Sequence, residues 1–259
     1  MLIGTASLAG RRWGHAISGW LVGIPFTSGP ITLFLFLDHG ATFAMNAALG
    51  SMLGIFATVA WALVYCAVAR RGAGLVLSML AGLAVFAVVG AAVRELTFGP
   101  IALYLALAVV LVAAIRIVPA SRVHYGVPLP WWDLPARMLL ATALVLTITG
   151  SAVALGPRLA GLLATVPLYA SILAGFGLRL AAAEAAIVVW RGLLFGLFGF
   201  GAFYLMLATL VEPFGAWAFV GAVAAVFVSH AVTLGVMRRS AKADGEDDVA
   251  GDVQIIAGA

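Results

Sequence analysis

Cysteine is almost absent from this chain. Cys66 alone, set in an apolar run, allows no internal disulfide and no cysteine-based metal cluster. Charge is nearly as scarce: only 9% of the 259 residues are Asp, Glu, Lys or Arg, where a soluble domain carries about 25%. Lysine occurs once, at Lys242, and the arginines are scattered rather than clustered, which argues against a nucleic-acid partner. There is no Walker P-loop and so no sign of self-contained ATP hydrolysis, no H-E-x-x-H, no acidic pair of metal-ligand type and no G-x-S-x-G elbow. With no acid/base or metal constellation, the sequence predicts no enzyme, no cofactor and no bound metal.

Apolar residues, by contrast, make up 64% of the chain. Runs of about 20 recur along nearly the whole length, each long enough to cross a bilayer core of roughly 30 Å. A β-barrel would show short alternating segments instead. The pattern predicts an all-α polytopic membrane bundle of about eight transmembrane helices, near 14–37, 41–69, 73–93, 97–117, 135–155, 159–178, 182–211 and 214–237. Positive charge then sorts by side. Arg11, Arg12, Arg70, Arg71, Arg116, Arg122, Arg137, Arg179, Arg238, Arg239 and Lys242 share one; Asp38, His39, Arg94, Glu95, Arg158 and Glu212 share the other. The positive-inside rule makes the first side cytoplasmic and puts both termini there. Trp131 and Trp132, in the longest connection, fit an interfacial belt. The polar, acidic segment 239–259 reads as a disordered tail.

Two stretches align without a gap. In "WGHAISGWLVGIPF" and "LGPRLAGLLATVPL", Gly14 matches Gly156, Gly19 matches Gly161, Leu21 matches Leu163 and Pro25 matches Pro167, each at an offset of 142. The same offset pairs Gly50 with Gly192 and Gly54 with Gly196. The proline-bearing spans are the first and the sixth, so they run in opposite directions, and the expectation is an inverted-topology internal repeat. Residues 1–95 form the first repeat, 96–134 a linking helix and cytoplasmic loop, and 135–238 the second repeat. The segment "MLIGTASLAG" then falls opposite the end of the fifth span, so the first helix of the first repeat is truncated; an upstream start or loss of that helix both account for it.

Proline removes a backbone donor and frees a carbonyl one turn earlier. At membrane depth such groups need protein, water or ligand to satisfy them, and paired Gly/Pro breaks in inverted halves mark binding sites in many transporters. The candidate substrate-binding residues are therefore Pro25, Thr27 and Ser28 in "IPFTSGP", and Thr165, Pro167, Tyr169 and Ser171 in "TVPLYAS". A plain proline kink, repacked by its neighbours, is the competing reading.

The stretch "AISGWLVGIPFTSGPITLFLFLDHG" resembles the small GlpM-type bacterial inner-membrane proteins, which carry a similar glycine-then-proline run before a charged turn. The resemblance covers about residues 1–95 and again about 135–237, so the chain is similar to a fused double version of that family. It implies a place in the bacterial inner (cytoplasmic) membrane and an association with exopolysaccharide production, but no catalytic or transport residue. The architecture is also similar to drug/metabolite transporters.

Charge inside the spans supplies the remaining candidates. Glu184 and Arg191 lie seven residues apart on one face, about 10 Å along the axis. Arg191 either holds an anionic group, with Glu184 as a coupling candidate, or snorkels to the interface. His230 is a second coupling candidate, by proton relay, or a hydrogen-bonding partner of a neighbouring helix. Asn46 reads as interhelical glue, and Asp38 and His39 as a surface turn. The sequence thus predicts a small-molecule secondary transporter with a site between two broken helices. The alternative is a non-transporting membrane subunit supporting an envelope or exopolysaccharide assembly. Expected partners are membrane lipids and a small molecule of unknown identity, with a homodimer or a larger membrane complex compatible with either.

Overall fold

The computed structural model describes residues 20–21, 23–119, 133–180 and 183–257, with backbone alone over 133–138 and 238–257 and at a few single positions, Tyr169 among them. Arg11, Arg12, Gly14, Gly19, Arg122, Trp131 and Trp132 lie outside the described residues, as do both chain ends. The described residues are helical, with no strand among them. In chain order the helices are α1 (Ser28–His39), α2 (Ala41–Arg70), α3 (Leu75–Val93), α4 (Pro100–Ile117), α5 (Asp133–Gly150), α6 (Ala152–Leu155), α7 (Pro157–Leu163), α8 (Leu168–Leu180), α9 (Ala183–Phe214) and α10 (Trp217–Ala257).

Five of them are long and apolar enough to cross a membrane: α2, α3, α4, α9 and the Trp217–Met237 part of α10. This is consistent with an integral membrane protein. The other three expected spans are interrupted. The first is helical at residues 20–21, turns over 23–27 and restarts as α1. The fifth stops at Gly150 and resumes for one turn as α6. The sixth is split into α7 and α8 around Thr165–Pro167. The backbone of α10 continues to Ala257.

Turn chemistry explains the boundaries. Gly40 (φ 87°) separates α1 from α2, Gly72 (φ 81°) follows α2 and Gly215 (φ 55°) follows α9, each in a left-handed conformation that costs glycine little. Pro100 opens α4 where its missing N–H is no loss.

The core is the antiparallel pair α2 and α9. Thr42, at the start of α2, donates to a Glu212 carboxylate oxygen at the end of α9 (3.0 Å), while Tyr65, near the end of α2, packs on Trp190 near the start of α9 (centroids 5.3 Å). Within their apolar stretches 67% of α2 and 72% of α9 is buried, against 22% for α3, α4 and α10. The latter three are thus peripheral helices that show most of their surface to the outside and bury one stripe each. The stripe is Ser78, Gly82, Phe86 and Gly90 on α3, Leu103, Leu107, Leu111 and Ala114 on α4, and Ala218, Ala222, Val226 and His230 on α10, a near fourfold spacing that keeps one face inward. A smaller apolar cluster, Ile31, Leu35, Ala47, Ile148, Ala152, Ala160 and Ala164, ties α1 to α2, α5, α6 and α7.

Candidate functional site: two broken helices on a central pair

At the first break Gly23 N–H donates to the Trp20 carbonyl (3.1 Å), Ile24 to Leu21 (3.0 Å), Phe26 to Ile24 (2.7 Å) and Gly29 to Pro25 (2.9 Å). At the second, Thr165 donates to Leu162 (3.1 Å), Val166 to Leu163 (3.2 Å), Leu168 to Val166 (2.8 Å) and Ser171 to Pro167 (2.9 Å). Every donor and every acceptor differs by 142. Both breaks therefore consist of two tight turns, a three-residue turn with the proline at its centre, and a helix restarting on the proline's own carbonyl. Because proline brings no N–H, the chain closes the shorter turn around it instead of continuing the helix.

Each break rests on a glycine of the central pair. The second lies on α2: a Cβ on Gly54 would stand 2.9 Å from the Leu162 carbonyl oxygen and would overlap the Thr165 hydroxyl. One on Gly50 would overlap the Arg158 carbonyl, and one on Gly161 that of Ala47. The first break lies on α9, where a Cβ on Gly196 would overlap the Trp20 carbonyl oxygen and stand 2.8 Å from the Gly23 Cα. Leu162 and Trp20, Gly54 and Gly196 are again 142 apart. The half-helix of each half of the chain is seated on the long helix of the other. Comparison with family models, curated proteins and solved structures finds no match for this chain. The site is accordingly read from its own geometry.

Pro25 and Pro167 are both buried. The Thr27 hydroxyl oxygen is buried without a hydrogen-bond partner, as is that of Ser171. Ser28 is 2% exposed, and its carbonyl accepts the Thr32 hydroxyl (2.9 Å). Thr165 donates its hydroxyl to Leu162 (2.7 Å), and its carbonyl accepts the Thr58 hydroxyl of α2 (3.0 Å). The side chain of Tyr169 lies outside the described residues. The two breaks are thus brought to opposite partners within one bundle, the first to α9 and the second to α2.

Arg191 is half-buried at the end of the bundle where α4 finishes. Its guanidinium donates to the carbonyls of Ile115 (2.5 Å) and Val118 and lies 5.8 Å over the Phe195 ring. These carbonyls belong to the last turn of α4, where intrahelical donors run out and a cation is favoured by the helix dipole. Glu184 is exposed in the first turn of α9, where the dipole suits an acid. Replacing Arg191 with Met should cost about 1.5–3 kcal/mol, the range for hydrogen bonds to a charged donor, and should speed amide hydrogen exchange at the end of α4, with Lys in its place recovering part of the loss. Unchanged exchange at 115–118 in the Met variant would show that the guanidinium does not hold this helix end.

His230 is buried, its Nδ1 3.1 Å from the Val226 carbonyl and its ring 4.7 Å from that of Trp20. Gly199 leaves the room for that ring. The Trp20 indole N–H donates to the Thr233 hydroxyl (3.0 Å). Asn46, expected to bridge helices, donates to Thr42 within its own α2 (2.9 Å). Asp38 and His39 are exposed.

Buried polar residues that the sequence reading missed include Thr32, Ser51, Thr58 and Tyr204. The Tyr204 hydroxyl is fully buried and faces the hydroxyls of Ser28, Thr32 and Ser51 without reaching a hydrogen bond of ordinary geometry. Thr32 could have been found as the helical neighbour of Ser28 four residues on. Tyr204, one aromatic among many in an apolar run, carries no such signal.

Proposed function

We propose that this chain is a small-molecule secondary transporter of inverted-repeat architecture, working in the inner membrane with both termini cytoplasmic. The observation that carries the reading is the matched pair of breaks: the same four backbone hydrogen bonds recur at one offset, in helices seated on opposite members of an antiparallel pair. Further support comes from the peripheral helices. The buried stripe of α3 recurs on α10 at an offset of 140, from Ser78 to Ala218 onward, the two-residue difference falling in the turns at 71–74 and 215–216. Leu162 against Gly90 and Trp20 against His230 are then equivalent contacts. In this reading the interrupted first, fifth and sixth helices also cross the membrane, giving eight crossings. The charged contacts agree with the expected sides: Thr42 with Glu212 and Arg158 with the Leu96 carbonyl gather at one end, Arg191 and the end of α4 at the other.

Matched breaks at one depth suit alternating access, because rocking one half against the other changes which end of the shared bundle is open around a fixed site. The test uses vesicles from cells expressing the wild type or Thr27→Val/Ser28→Ala at equal membrane levels. Wild-type vesicles should accumulate at least one solute from a defined metabolite mixture that the double variant does not. Identical solute profiles would overturn the transport reading and leave the membrane-subunit reading in its place. Topology is checked separately: a phosphatase fused after Ala259 should be inactive and a fluorescent reporter there should fold, and the reverse result would require the repeat to be turned over.

A further inference from the structure

Two side chains of α10 hold Trp20 at the entry to the first break. Its indole N–H donates to the Thr233 hydroxyl (3.0 Å), whose own proton goes to the His230 carbonyl (3.2 Å), and its ring lies 4.7 Å from the His230 ring. Gly199 of α9 lies against that ring, since a Cβ there would overlap it. The second half of the chain builds the equivalent contact from hydrocarbon. Leu162 stands for Trp20 at an offset of 142, and Gly90 and Val93 stand for His230 and Thr233 at 140. A histidine is therefore not what this junction needs in order to pack.

Hydrogen bonding fixes the state of the ring. A carbonyl can only accept, so Nδ1, 3.1 Å from the Val226 carbonyl, carries the proton of the neutral imidazole. Nε2 then holds a lone pair. The residue is 3% exposed, and no donor among the described residues reaches that nitrogen. Nor does a charge stand ready to offset a proton there. His230 is the sole titratable side chain of the Trp217–Met237 part of α10, and residues 20–21 supply only Trp20 and Leu21. On α9 the flanking titratable groups turn elsewhere, Arg191 to carbonyls of α4 and Tyr204 to Ser28, Thr32 and Ser51. The Trp20 carbonyl faces the ring, but it already accepts the Gly23 N–H (3.1 Å).

We propose that Nε2 of His230 is a proton-binding site whose occupation releases the first broken helix from α9 and α10. The proposal deepens the transport reading above and rests on it for its purpose, the proton being the coupling ion. The proton adds to the Nε2 lone pair, both ring nitrogens become donors, and the imidazole becomes a cation. A buried cation beside one shared carbonyl is costly, so the charged ring is stable only where water reaches it. Water reaches Nε2 when Trp20 leaves. Protonation and unseating therefore favour each other, and linkage fixes the sign. Seating is strongest at high pH and weakens as the pH falls below about 6.5, where a histidine in water takes up its proton. The Trp20 carbonyl sits against Gly196 and the Trp20 ring against His230, so one residue carries the signal from the proton to the break.

The test follows amide hydrogen exchange of the full chain in lipid nanodiscs between about pH 5 and 8, each rate divided by that of an unstructured peptide at the same pH. Protection of the Gly23, Ile24 and Phe26 amides should fall on acidification below about pH 6.5, by up to about tenfold per pH unit, the limit for one proton. Residues 52–62 in α2 should keep theirs. The fall should vanish in His230→Gln, and in His230→Phe, which keeps a ring and serves if the first variant fails to fold. Flat protection in the wild type, protection that rises on acidification, a fall shared by residues 52–62, or a fall that survives both substitutions each overturns the proposal. Solute uptake by vesicles, with and without an imposed pH gradient, separates this from the transport reading. Gradient-driven accumulation that is lost in His230→Gln supports both. Release of the first break on acidification without any solute uptake supports the proton site and counts against transport. Accumulation that ignores the gradient, or gradient-driven accumulation that survives His230→Gln, supports transport and overturns His230 as the site of the coupling ion.

Discussion

Gly161→Ala is expected to unfold this protein more readily than any other single-methyl change in it. The added carbon would overlap the Ala47 carbonyl oxygen and stand 2.7 Å from its carbon. Both are backbone atoms in the second turn of α2, which cannot rotate away as a side chain could. Overpacking costs about 1–3 kcal/mol where neighbours can shift, and a helix backbone sits at the unforgiving end of that range. The substitution should lower the melting temperature in detergent and reduce the monodisperse fraction, and Gly196→Ala should do the same against Trp20 and Gly23. Gly235→Ala is the control. Nothing lies within 4 Å of its added carbon, so it should be neutral or gain up to about 1 kcal/mol of helix propensity. A Gly161→Ala protein that melts with the wild type would mean that α7 does not cross α2 at this position.

Trp190→Ala should be the most damaging truncation. The side chain is 0% exposed and sits between Trp61 (centroids 6.4 Å) and Tyr65 (5.3 Å), so it joins the two central helices. Removing a buried aromatic of this size costs about 3–5 kcal/mol, the lost contacts and the cavity together. Trp190→Phe should recover most of that, because the indole N–H has no hydrogen-bond partner to lose. Unfolding free energies from a denaturant titration of the three proteins decide it. Equal losses for Ala and Phe would mean that the N–H binds something the contacts above do not include.

What could be read from the sequence follows from where the determining chemistry lies. The breaks at Pro25 and Pro167 were legible because proline acts on its own backbone, whatever surrounds it. The offset was legible because close approach of two helices demands glycine, so Gly50, Gly54 and Gly161 carry the contact in their identity. The exchange of seats between halves was not, since nothing in a glycine says which backbone fills its space. Arg191 shows the same limit: its acceptors are carbonyls of α4, a group that every residue possesses. The ungapped comparison also could not find the shift to 140 over α3 and α10, because their stripes repeat every four residues and tolerate several registers.

The exchanged seats also set an order of events during synthesis. The second broken helix leaves the ribosome after α2 is complete and finds Gly54 waiting. The first finds its place only when Gly196 has been made, 173 residues after Gly23, which at about 5–20 residues per second is a delay of roughly ten to thirty-five seconds. Through that interval an interrupted helix, with its turn amides and carbonyls, must be sheltered by the insertion machinery or by lipid headgroups. Maturation of the N-terminal half is therefore tied to the clock of the C-terminal half, because a chain halted before residue 196 lacks the glycine on which its first broken helix sits.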